Sequence, residues 1–140
     1  MIYKNSTIDN LHAINKGTMM ETLGIEYLEL RDGYVYARML VKKELSQPFG
    51  FMHGGAGVAM AESVGGVGSA FIVGLDHNEI RGQQMSVNYL KVAKVDTYVY
   101  AKAEIIHRGG RTHVWNIDLR NEDDQLVLTC RLTNFIISRP

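Results

Sequence analysis

The apolar and polar residues of the chain alternate with two different periods, and the change of period divides it into blocks. Within residues 7–15, Ile8, Leu11 and Ile14 recur at helical spacing, with Ser6 or Thr7 ahead of them as a cap and Gly17 behind them as a stop. This spacing predicts a short amphipathic helix across the outside of the domain. Over residues 24–41 the period drops to two on either side of Arg31-Asp32-Gly33, the pattern of a two-stranded antiparallel hairpin. Strand-like runs occupy 84–95, 98–107, 113–121 and 126–137, and the polar turn Asn121-Glu122-Asp123-Asp124 separates the last two. In the second run Val99, Ala101, Ala103 and Ile105 alternate with Tyr98, Tyr100, Lys102 and Glu104. Between the hairpin and these runs lie a loop, 44–52, and a long Gly- and Ala-rich segment, 53–73, read as a helix. The order predicts a single α+β domain over residues 1–140, with an antiparallel meander of four strands forming one curved sheet around one helix.

Segment 53–73 is apolar enough to suggest a membrane span, but Glu62, His53 and the polar strands around it argue for a core helix. On a helical projection Met60, Val64, Val67 and Phe71 form one bulky stripe suited to packing on a sheet. Glu62 falls on the other face, with Val58 and Ala59 one turn before it, Gly65 and Gly66 one turn after, and Ser69 two turns on. Six glycines between Gly54 and Gly68 weaken the helix by up to about 1 kcal/mol each relative to alanine. They call for a second backbone pressed on the helix or a ligand beside Glu62. His53 and Glu62 are separated by about 900° of rotation and about 13 Å of rise on one helix, so a joint role requires two chains meeting about a two-fold axis. A purely structural alternative stands beside each: Glu62 as an acid paired with a base at a subunit interface, and His53 as a helix cap or core residue. At the helix start, the N–H groups of Gly54 and Gly55 are uncovered by side chains and carry partial positive charge, suited to polarising a carbonyl.

Charge and composition narrow the partners. Fifteen basic residues balance fifteen acidic ones, so no net field draws the chain to nucleic acid or to an anionic membrane. The single cysteine, Cys130, reads as a buried strand residue, and the five histidines lack metal-ligand spacing, so no metal is expected. The polar, acidic start does not read as a secretory signal, which makes a reducing cytoplasmic setting the expectation.

QPFG followed by HGG within 47–55, AES at 61–63, the TM and LGI elements of 18–25 and CRL at 130–132 together resemble the hotdog-fold acyl-CoA thioesterases. The likeness is to the 4-hydroxybenzoyl-CoA thioesterase group of the Arthrobacter type and its relatives acting on 1,4-dihydroxy-2-naphthoyl-CoA and phenylacetyl-CoA. The resemblance implies a sheet wrapped around the long helix, homodimers with shared active sites and dimers of dimers. It also implies no cofactor, since coenzyme A is part of the substrate. By position it makes Glu62 the nucleophile or general base. Gln47 and His53 of the partner chain would orient the thioester, and the Gly54 or Gly55 N–H would polarise its carbonyl. Gly66 departs from relatives that carry a water-placing hydroxyl there, and Ser63 or Ser69 are the candidates to compensate.

For the phosphates of coenzyme A the candidates are Lys91, expected on a strand, and His107, Arg108, Arg111 and Thr112 in the loop that follows the second strand run. Gly82 matches a position near bound coenzyme A in relatives. Phe49, Phe51, Met52, Met85 and Tyr89 are candidates for an acyl pocket, although such residues are more often simply core. The expected activity is hydrolysis of an aromatic acyl-CoA. The alternatives are a non-catalytic acyl-CoA-binding module and, on the same fold, hydratase or dehydratase chemistry.

Overall fold

The computed structural model describes Lys4 and residues 6–140; the remainder of the polar start read against a secretory signal, residues 1–3 and Asn5, lies outside the described residues. Helix α1, Ile8–Asn15, is closed at its start by a reciprocal cap between Thr7 and Asn10 and is followed by Gly17 at φ +75°. A second helix, α2, Met19–Leu23, stops at Gly24 in the left-handed conformation. The hairpin follows as β1, Ile25–Arg31, and β2, Tyr34–Leu40, turning at Gly33 as expected. Helix α3 spans Gly54–Val73, and the strands β3, Asn78–Tyr89, β4, Tyr98–Arg108, β5, Thr112–Arg120, and β6, Leu126–Ser138, complete the chain.

The six strands form one antiparallel sheet in the order β1-β2-β4-β5-β6-β3, curved around α3. Two expectations are corrected here. The run placed at 84–95 begins at Asn78 and ends at Tyr89, because Leu90 and Lys91 donate their N–H groups to Val127 O and the chain leaves the ladder. The last four strands are not a simple meander: β4 pairs with β2, and β3 crosses over to pair with β6 at the far edge.

The bulky stripe of α3 is buried as the projection requires, with Met60 and Val64 fully covered. Against it stand Val99, Ala101 and Ala103 of β4, Trp115, Ile117 and Leu119 of β5, and Leu128, Cys130 and Leu132 of β6. Burial pushes the Cys130 thiol up to about 11, which keeps it a protonated core residue. Glycines let the helix sink onto this surface: a Cβ at Gly57, Gly65 or Gly68 would come within 2.7, 2.4 and 2.4 Å of Leu128, Leu132 and Trp115. Gly65 therefore faces the sheet rather than the open side assigned to it. By length and hydropathy α3 could cross a bilayer, yet 56% of that stretch is buried inside the protein, as expected of a core helix.

Candidate functional site

Glu62 projects from the open side of α3 at the wall of a cleft of about 780 Å³. The cleft runs between α3, the two N-terminal helices and β3, and Ile14, Met19, Met20, Tyr27, Val67 and Ala70 give it an apolar lining. Gly82 faces the carboxylate directly: a Cβ there would stand 2.8 Å from Glu62 Oε1. The ladder between β3 and β6 slips one residue between Gly82 and Gln84, so the bulge falls beside this contact. Gly66, one turn beyond Glu62, has nothing within 4 Å of where its Cβ would be, which leaves open space beside the carboxylate.

The other predicted catalytic residues gather at the start of α3. Gln47 N–H donates to Phe51 O at 2.8 Å and Gly50 N–H to Gln47 O at 3.0 Å, a tight turn that leaves Phe49 86% exposed. Met52 N–H to Ala93 O and His53 N–H to Leu45 O fix the entry into the helix. His53 is the N-cap, and its Nδ1 accepts the Gly55 N–H at 2.8 Å. A backbone N–H can only donate, so Nδ1 is the acceptor here and the ring's proton sits on Nε2. This corrects the equivalence drawn between Gly54 and Gly55, since the Gly55 N–H is occupied while that of Gly54 makes no hydrogen bond among the described residues. Tyr89 packs over Gly54, where a Cβ would lie 2.6 Å from its ring. Within one chain, Gln47, His53, Gly54 and Gly55 do not border the cleft that Glu62 lines.

Several candidates lie elsewhere. Lys91 is on the loop after β3 instead of on a strand, and is exposed. His107 and Arg108 end β4, Arg111 lies in the turn and Thr112 opens β5, so the group sits on strands three and two places from β3 rather than in a loop, and Arg108 is paired with Asp32 at 3.1 Å. None of these borders the cleft. Phe49, Phe51, Met52, Met85 and Tyr89 do not line it either, and Met52 is core. Ser69 is fully buried against β5 and β6, so it faces away from Glu62, and Ser63 Oγ bonds its own helix at Ala59 O.

Sequence reasoning missed the N-terminal wall of the cleft, because Ile14, Met19 and Met20 carry no pattern beyond ordinary amphipathicity. It also missed Arg139, which borders the cleft and bonds Glu79 at 2.9 Å; Arg81 and Arg139 hold the Glu79 carboxyl below its usual range.

An antiparallel sheet curved around one long helix, with a carboxylate on the helix's open side, is the hotdog architecture. Residues 49–128 match the model of the Thioesterase superfamily, and the chain belongs to that family as a thioester-hydrolysing enzyme. It is 32% identical over 138 residues to 1,4-dihydroxy-2-naphthoyl-CoA hydrolase of Escherichia coli K12, covering 98% of this chain and 100% of the relative. A Pseudomonas aeruginosa thioesterase, solved as a glutamine-to-alanine variant, has a TM-score of 0.91 at 31% identity, covering 99% of each chain. A Staphylococcus aureus thioesterase solved as a glutamine-to-alanine variant has a TM-score of 0.82 at 36% identity, covering 87% of this chain and 98% of its own; the same protein has been solved as a glutamate-to-alanine variant. A Streptococcus pneumoniae thioesterase solved with coenzyme A has a TM-score of 0.75 at 26% identity, covering 82% and 90%.

Proposed function

We propose that the protein hydrolyses the thioester of an aromatic acyl-CoA to the free acid and coenzyme A, with Glu62 as the nucleophile or general base. The observation that carries this reading is the placement of Glu62 on the wall of a large apolar cleft whose other carboxylate, Glu79, is taken up by Arg81 and Arg139. In an acyl-CoA the part that prefers such a cleft is the acyl group, and the thioester carbon next to it then comes to Glu62. The name of the Escherichia coli relative supports an aromatic acyl group. The coenzyme A in the Streptococcus structure supports the carrier. The two alanine variants of the Staphylococcus enzyme stand fifteen residues apart, the separation of Gln47 from Glu62, which supports roles for both.

In this reading the site is completed by a second copy. The helix start with its Gly54 N–H, which makes no hydrogen bond among the described residues, does not border the cleft of its own chain's Glu62. The twelve-residue strand β3 is paired on one side only, so its other edge offers a ladder to another β3. Joined there, one chain's Gln47, His53 and Gly54 would meet the other's Glu62.

Release of free thiol from a panel of aromatic and aliphatic acyl-CoAs tests the activity. The native protein should turn over at least one aromatic member, and Glu62→Ala should lower kcat by on the order of 1,000-fold. Wild-type kcat in Glu62→Ala would overturn the reading. Tight acyl-CoA binding with no thiol release would point to the non-catalytic module instead.

A further inference from the structure

Behind the cleft is a buried polar cluster that the reading above does not use. Ser69 on α3 is fully buried, and three side chains converge on its Oγ: Trp115 Nε1 at 2.9 Å, Asn134 Nδ2 at 3.0 Å and His113 Nδ1 at 3.0 Å. The indole and the amide nitrogen can only donate, so both lone pairs of the hydroxyl are taken and its proton goes to His113 Nδ1. Asn134 Nδ2 also donates to Gly65 O at 3.1 Å, and a carbonyl can only accept. The orientation of the amide is thereby decided by chemistry: its nitrogen faces the helix and its oxygen faces the other way.

That oxygen has no hydrogen-bond donor among the described residues, although Asn134 is only 1% exposed and borders the cleft. Its place is close to Glu62. Asn134 pairs across the ladder with Gly82, the residue against which Glu62 Oε1 rests. Gly65, which receives its amide, precedes Gly66, where the helix leaves open space. The amide oxygen opens onto the cleft, where a water in the space beside Gly66 can donate to it.

We infer that Asn134 Oδ1 holds the water that attacks the thioester, between the amide oxygen and the Glu62 carboxylate. The inference rests on the assignment of Glu62 as the reacting carboxylate. With Glu62 as general base, one water O–H donates to Glu62 and the other to Asn134 Oδ1, which leaves a lone pair aimed at the acyl carbon. The C–O bond forms as Glu62 takes the proton, the C–S bond breaks, and the proton passes to the departing thiolate. With Glu62 as nucleophile, its attack breaks the C–S bond and expels the thiolate, and the same water then attacks the acyl carbon and breaks the anhydride C–O bond, one of its protons going to the thiolate and the other leaving with the acid while Glu62 is restored as a carboxylate. Trp115, Ser69 and His113 act through Asn134 by preventing its rotation.

The test compares Asn134→Thr with Asn134→Val in the full-length protein, since the two side chains have the same shape and only threonine keeps an acceptor oxygen. Asn134→Val should lose on the order of 100-fold in kcat with KM within about two-fold, and Asn134→Thr should recover most of that loss at the same Tm. Equal kcat in the two folded variants, or a loss expressed in KM alone, overturns the inference. If the valine variant does not fold, Asn134→Ala and Asn134→Ser form a second pair read in the same way. Glu62→Ala is measured alongside: an active Glu62→Ala enzyme removes the assignment beneath the inference, whereas an inactive one with no difference within the Asn134 pairs removes only the role of Asn134.

Discussion

At the scale of single residues, donors and acceptors decide what each group can do. His53 shows it at the surface, where one backbone N–H sets the tautomer and leaves Nε2–H as a donor. His113 shows it in the core. Burial, with Arg108 and His107 nearby, holds its pKa below the ordinary value of 6.5, and protonation would put a second hydrogen between Nδ1 and a hydroxyl that already donates to it. The folded state resists a proton that the unfolded chain accepts, so the stability contribution is intact above pH 6.5 and is lost as the pH falls toward the lower folded value. Denaturant titrations between pH 7.5 and about 5 should show this decline. His113→Asn should have a shallower slope over that window, and an unchanged slope would assign the decline to other groups.

At the scale of elements, the glycines of α3 separate into those the sheet requires and one it does not. A Cβ at Gly68 would enter the Trp115 ring at 2.4 Å, so Gly68→Ala should destabilise by about 1–3 kcal/mol despite its better helix propensity. Gly66 has no such neighbour, and Gly66→Ala should stabilise by up to about 1 kcal/mol. Shifts of opposite sign in the denaturation midpoint would establish the difference. The need for close packing was legible in the sequence, but which glycines met the sheet was not: Gly65 and Ser69 projected beside Glu62, and both face β-strands. The bulky stripe and the first hairpin were legible because each buries one face and so shows its period. Strand β3 was misjudged because it is an edge strand, and its first half, through Arg81-Gly82-Gln83-Gln84, shows little apolar alternation. Its partner was unreadable, since period says nothing about which strand lies beside which.

At the scale of the whole molecule, the candidate site was legible as chemistry and illegible as a place. The motif named Glu62, Gln47 and His53, and helical arithmetic separated His53 from Glu62, but the cleft wall formed by α1 and α2 depends on tertiary packing alone. If two copies join along β3, an equal mixture of Glu62→Ala and His53→Ala chains should regain about a quarter of wild-type sites, since about half the dimers are hybrid and each hybrid has one intact site. Mixing the two inactive proteins under conditions that allow subunit exchange, then measuring thiol release, checks this. No recovery despite demonstrated exchange would mean that each chain works alone. A different consequence follows from how far the helix's covering lags behind it during synthesis. α3 leaves the ribosome as a stretch with mean hydropathy 1.5, while β5 and β6, which shield it, are made last. Until then the nascent chain exposes an apolar stretch that only the finished sheet covers, so α3 is the segment on which aggregation during synthesis would start.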